Sequence, residues 1–170
     1  IPGDAEGWSD LGLILSRQNR FAEAIAAFQR AVELDPQDMI SLEGMAQILT
    51  AMGRNDEASA AFQRVVATRP MLGLAWLHYG RLLEKMGRKA EAESCFQSAV
   101  ANPGQNIESQ IELANFCQSR GWFEQATKLY VEALKSEPAN AKFHVGAGQN
   151  FAALQRYTEA AYHSSEAVRI

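Results

Sequence analysis

Three histidines and two cysteines are among the side chains of this sequence that could ligate a metal or pair as base and nucleophile. A structural zinc site draws four such ligands, usually as closely spaced pairs. A nucleophilic cysteine needs a histidine alongside it. Cys95 and Cys117 stand 22 residues apart and form no CxxC pair. His78, His144 and His163 fit no ligand spacing with each other or with a cysteine. All five are therefore read as packing or surface groups, with Cys117 a small buried hydrophobe. No glycine-rich loop follows a strand pattern, so a phosphate loop is not indicated. The expectation is a protein without catalytic residues, metal or cofactor.

A second set of polar side chains recurs at a fixed interval. Leu13, Gln47, Arg81, Asn115 and Gln149 are each 34 residues apart. Four of the five can make hydrogen bonds, and Asn and Gln each carry a donor and an acceptor. Such a ladder suits the backbone of an extended peptide. Alongside it, Ser9, Glu43, Leu77, Ile111 and Val145 form a parallel series whose last three members are apolar.

The same interval runs through the whole chain. Pro36, Pro70 and Pro138 fall on it, with Gly104 in the remaining place, and Pro2 extends it backwards. So do Ala24, Ala58, Ala92, Ala126 and Ala160, and the aromatic series Phe28, Phe62, Phe96 and Tyr130, which ends in Ser164. Counting residues 5, 39, 73, 107 and 141 as place 1, apolar or small residues occupy places 4, 7, 8 and 11, then 20, 24 and 27. These are one-faced helical stripes, so each interval holds two helices. Asp4, Asp38, Asn106 and Asn140 stand where helix N-caps are needed, and only Leu72 breaks that series. Gly53, Gly87 and Gly121, with Asn19, mark the ends of the first helices; Gln155 is the exception. Glu23, Glu57, Glu91 and Glu159 favour the starts of the second helices. The pattern predicts helices over 5–18, 21–34, 39–52, 55–68, 73–86, 89–101, 107–120, 123–136, 141–154 and 157–170.

A 34-residue period with Trp8, Leu11, Gly12, Ala24, Phe28 and Pro36 resembles the tetratricopeptide repeat family. Trp76, Tyr79, Gly80, Ala92 and Phe96 repeat the signature, and looser versions stay in register over residues 5–170. The resemblance implies an all-α fold, a right-handed α-solenoid of stacked antiparallel helix hairpins. Its repeats would be 5–38, 39–72, 73–106, 107–140 and 141–170, in a single array. Pro2 in register suggests a piece of a longer array. The last hairpin, with Ala160, Ala167 and Val168, would then expose an apolar face.

In the family the first helices line a concave wall that contacts an extended peptide or helix. Places 2, 5, 9, 12 and 13 centre roughly 140° away from the hairpin core at ~100° per residue. Carried onto this sequence, the candidate ligand-binding wall includes Leu13, Arg17, Glu43, Gln47, Leu77, Arg81, Lys85, Ile111, Asn115 and Gln149. Place 5 never holds Lys, so the carboxylate clamp of chaperone-binding members does not fit. Only Asn115 could join the asparagine ladder of the glycosyltransferase members. Trp122 and Phe123 form an aromatic pair at a turn, either an exposed contact point or tucked against a neighbouring repeat.

The net charge of −4, with 16 basic against 20 acidic residues and no basic run, argues against a nucleic-acid partner. No stretch reaches the ~18 apolar residues of a membrane span. No signal segment is visible at Ile1–Asp4, so the default compartment is cytoplasmic. The leading expectation is a non-catalytic scaffold for a protein or peptide ligand. Two others stand beside it: a substrate-recruiting arm of a larger enzyme, such as a glycosyltransferase, and a module that assembles with itself through its end faces.

Overall fold

The computed structural model describes residues 3–104 and 106–170, and every regular element among them is an α-helix. Pro2, whose register bears on the chain's extent, lies outside the described residues. The helices are α1 (Ala5–Arg17), α2 (Phe21–Leu34), α3 (Met39–Ala51), α4 (Asn55–Thr68), α5 (Gly73–Lys85), α6 (Lys89–Ala101), α7 (Ile107–Ser119), α8 (Phe123–Ser136), α9 (Ala141–Ala153) and α10 (Tyr157–Arg169). The all-α class and the hairpin order expected from the sequence are thus observed. The chain divides into two compact units, residues 1–98 and 99–170.

The first helices end one residue earlier than expected, and the backbone explains why. Asn19, Gly53, Gly87, Gly121 and Gln155 all adopt left-handed φ between 60° and 80°. The next residue then donates its N–H back across the turn to the carbonyl at place 11: Arg20 to Leu15, Arg54 to Leu49, Arg88 to Leu83, Trp122 to Cys117 and Arg156 to Phe151, at 2.8–3.0 Å. This six-to-one bond closes the helix end in all five hairpins. Gln155 departs from glycine in sequence but not in conformation. The starts follow the sequence too. Asp4, Asp38, Asn106 and Asn140 accept backbone N–H bonds at the starts of α1, α3, α7 and α9, whereas Leu72 makes no such bond. Four second helices begin with an exposed Arg–Glu ion pair three residues apart: Arg20–Glu23, Arg54–Glu57, Arg88–Glu91 and Arg156–Glu159. The arginine holds each glutamate below its usual pKa through their hydrogen bond. In the fourth hairpin Trp122 replaces the arginine. It meets Phe116 of its own hairpin edge-on, with ring centroids 5.9 Å apart. Trp122 thus packs within its own hairpin, and both it and Phe123 are half-buried.

In the first unit, α1–α2 and α3–α4 form antiparallel hairpins, α2 packs on α3, and α4 packs on α5. Phe28 is fully buried between two glycines, Gly12 of its own hairpin and Gly44 of the next. A Cβ on Gly44 would stand 2.6 Å from that ring, and one on Gly12 would be closer still. The α5–α6 hairpin repeats the device, with Phe96 against Gly80. A bonded seam joins α1 to the start of α3. Ser9 donates to the Asp38 carboxylate, and its hydroxyl lies 2.9 Å from that of Ser41.

In the second unit, α7–α8 and α9–α10 form the hairpins and α8 packs on α9. Tyr130 presses on Gly146 as Phe28 does on Gly44. The last hairpin brings together two histidines that the sequence kept apart. His144 Nε2 lies 3.0 Å from the Pro138 carbonyl, which can only accept, so that nitrogen carries the proton. In a neutral imidazole of that tautomer His144 Nδ1 is the acceptor, and His163 Nδ1, 2.9 Å away, is the donor. The His163 ring also stacks on Phe151, 5.3 Å between centroids, with Tyr162 edge-on at 5.1 Å. Of the apolar end face expected on this hairpin, Ala160 is buried and Ala167 half-buried, leaving Val168 exposed. Ala160 lies in the α9–α10 contact, where its carbonyl is 3.5 Å from a Cβ placed on Gly148.

Two predictions follow from this packing. Ala is a better helix former than Gly by about 1 kcal/mol. Gly12→Ala should nevertheless lower stability in urea unfolding, by about 1–3 kcal/mol, because the ring it meets is trapped from its other side. Burial, then the neighbouring His144, lowers the pKa of His163 from 6.5, while Glu166 opposes the shift. A depressed pKa gives stability that is complete above the unfolded value and is lost as pH falls through the folded one. The melting temperature of the wild type should drop below pH 6.5, and His163→Gln should flatten that drop.

Candidate functional site

On the first helices, places 9 and 13 lie about 100° and 140° from the core place 8, and place 5 only about 60°. Exposure follows those angles. Arg17, Gln47, Arg81, Lys85, Asn115 and Gln149 are exposed, and Leu13 is half-buried. Place 5 is different. Ser9 is buried in the seam with Asp38 and Ser41, Leu77 has no exposed surface, and Glu43 and Ile111 are half-buried. Leu77 is therefore core and cannot meet a ligand in this structure, which corrects its assignment to the wall. The expected apolar strip is reduced to Ile111 and the exposed Val145.

In the first unit the polar places border a cavity of about 500 Å³. Its lining comes from α3 (Gln47, Thr50, Ala51), α4 (Phe62) and α5 (His78, Arg81, Leu82, Lys85). Phe62 and Leu82 are almost wholly buried and form an apolar floor, whereas Gln47, Arg81 and Lys85 stand exposed at the rim. Thr50 returns its hydroxyl to the Ala46 carbonyl at 2.7 Å. The repeat departs here from its first member at two places. Phe62 matches Phe28, but its two facing places hold Ala46 and His78 where Phe28 has glycines. The Phe62 ring stacks instead on Tyr79, 5.9 Å between centroids. The Tyr79 hydroxyl in turn accepts from Gln63 at 3.0 Å. Burial raises the pKa of Glu43 above its usual value, with the charge of His78 opposing. The sequence signal that could have located the cavity is the change from Gly44 to His78 at place 6.

In the second unit two ladder residues are already engaged. The Tyr130 hydroxyl donates to Asn115 Oδ1 at 2.6 Å, and Gln118 Nε2 donates to Gln149 Oε1 at 3.0 Å. One lone pair of each oxygen is so engaged, and the exposed Asn115 and Gln149 carry amide N–H groups that can donate. A depression of about 430 Å³ adjoins Asn115, with Ile107, Ile111 and Phe143 beside Glu108, Glu112 and Glu137. Its acidic border contrasts with the basic rim in the first unit.

The groups with catalytic potential sit elsewhere. Burial pushes both Cys95 and Cys117 up to about 11, so neither is a thiolate near neutral pH. Among the described residues, no three His, Cys, Asp or Glu side chains are placed to hold a metal. No described helix is long and apolar enough to cross a membrane.

This arrangement has close parallels among solved structures. A structure of MamA superposes with a TM-score of 0.65 at 18% identity, covering 97% of this chain and 90% of that one. MamA 41-end from Desulfovibrio magneticus RS-1 gives 0.61 at 18% identity, covering 99% and 96%. YrrB, described as a TPR protein with an unusual peptide-binding site, gives 0.61 at 20% identity, covering 98% and 86%. At these identities the likeness is one of fold. No curated protein sequence matches the chain. Two models of one family do: one covers residues 5–38, the other residues 44–107 and 118–170. With the five closed hairpins and their aromatic-on-glycine contacts, that coverage makes the chain a member of the tetratricopeptide repeat family.

Proposed function

We propose that this chain is a non-catalytic scaffold that holds an extended peptide or an amphipathic helix against the exposed places 9 and 13 of its first helices. The observation that carries this reading is the set of outward polar groups on α3, α5, α7 and α9. Gln47 and Arg81 border an apolar cavity, and the exposed Asn115 and Gln149, whose oxygens accept from Tyr130 and Gln118, carry amide groups that can donate. Backbone carbonyls of an extended peptide would accept those donors, and an apolar side chain would enter the cavity. The peptide-binding description of YrrB, a protein of the same fold, supports the reading. A single array of five repeats, with the same face recurring in each, is the arrangement we propose for it.

A test uses peptides selected on this chain from a display library of random 12-residue sequences. Gln47→Ala with Arg81→Ala, or Asn115→Ala with Gln149→Ala, should weaken selected binders by about tenfold, near 1.4 kcal/mol. Circular dichroism should not change. Affinities untouched by both pairs would sink the reading. Leu77→Asp is not a wall variant: it buries a charge without a partner and should abolish cooperative melting.

One observation favours self-assembly as a second role. On the last hairpin Ser164 replaces the aromatic of the earlier repeats and leaves a depression of about 470 Å³ lined by Val145, Gly148, Ala160, Ala167 and Val168. Sedimentation over a hundredfold concentration range should show mass rising with concentration, and Val168→Asp should remove the rise. A constant monomer mass would end this second role.

A further inference from the structure

The cavity between α3, α4 and α5 has a chemistry of its own. Its floor is an aromatic ring, Phe62, and an isobutyl group, Leu82, both buried. Its volume, about 500 Å³, exceeds what a single aromatic side chain fills. Its lining includes two cations, Arg81 and Lys85, and no carboxylate. Arg81 and Lys85 are four residues apart on α5, so they stack on consecutive turns with Cβ atoms about 6 Å apart. Gln47 and His78 add hydrogen-bonding groups between them and α3. Arginine meets carboxylates in a planar fork and lysine meets them as a point charge. Two cations one turn apart, over an apolar floor, match two carboxylates that flank one bulky apolar side chain.

The geometry points to an acidic peptide segment as the occupant, in which an aromatic or large aliphatic residue enters over Phe62 and Leu82 while the acidic residues on either side meet Arg81 and Lys85. The inference rests on the peptide-holding role proposed above and adds the class of peptide. The acid-bordered depression beside Asn115 has the opposite charge and would not compete for this segment.

The test uses three fluorescein-labelled, C-terminally amidated peptides in a Gly-Ser frame: Asp-Phe-Asp, Lys-Phe-Lys and Asp-Ala-Asp at the centre. Fluorescence anisotropy with the whole chain should show the first binding best, by about tenfold or more over either control. Arg81→Glu with Lys85→Glu should remove that advantage, while melting temperature and helix content stay unchanged. Raising salt from 50 to 500 mM should weaken the Asp-Phe-Asp peptide, because exposed charges are screened within ~10 Å at 0.1 M. Equal binding of Asp-Phe-Asp and Lys-Phe-Lys, or no loss in the charge-reversed chain, would overturn the inference. If Lys-Phe-Lys binds best and Asn115→Ala with Gln149→Ala weakens it, the acidic segment is ruled out while the wall keeps its peptide-holding role. If none of the three binds and library selection also yields no binder, both fall together.

Discussion

The structure depends on one contact, repeated: an aromatic ring of a second helix laid against a residue of a first helix that has little or no side chain. Phe28 on Gly12, Phe96 on Gly80 and Tyr130 on Gly146 bring helices to a distance that any larger residue would forbid. Other features follow from that approach. The helix ends must turn sharply, so left-handed residues close them. Places 9 and 13 of the first helices are left on the outside, where a ligand can reach them. Depressions lie beside two places where the series departs from ring on glycine. These are Phe62, which faces Ala46 and His78, and the last hairpin, where Ser164 stands in place of the ring.

Much of this was legible before any coordinates. Helix boundaries were readable to one residue because caps and closing residues recur at fixed places. The wall was legible only in part. Places 9 and 13 behave as their angle predicts, but place 5 sits on the margin of the core. Ser9 and Leu77 fell on its buried side because the margin depends on how near the neighbouring helix comes, and periodicity within one helix carries no information on that. The His144–His163 bond was hidden for the same reason. Nineteen residues of sequence separation say nothing about two rings facing each other across a hairpin. The cavity over Phe62 needed three helices to be placed together before two substitutions could be seen as one gap.

The two units carry opposite electrostatic character at comparable depressions. In the first, Arg81 and Lys85 surround an apolar floor. In the second, Glu108, Glu112 and Glu137 accompany Ile107, Ile111 and Phe143. The two depressions share places 6 and 9 of the first helices, His78 and Arg81 in one and Glu112 and Asn115 in the other, so their difference in charge comes from side chains outside the aromatic-on-glycine contacts. The charge at these depressions can therefore differ while the aromatic contacts are kept.

The two thiols have a use that their inertness creates. Each compact unit carries one: Cys95 in the first and Cys117 in the second, both buried and both with pKa near 11. Alkylating reagents attack the thiolate, so the closed form of either unit is nearly invisible to them. Each sulfur becomes reactive only when its own surroundings come apart. The chain thus contains a pair of built-in clocks, whose separate rates of modification would time how often each half breathes.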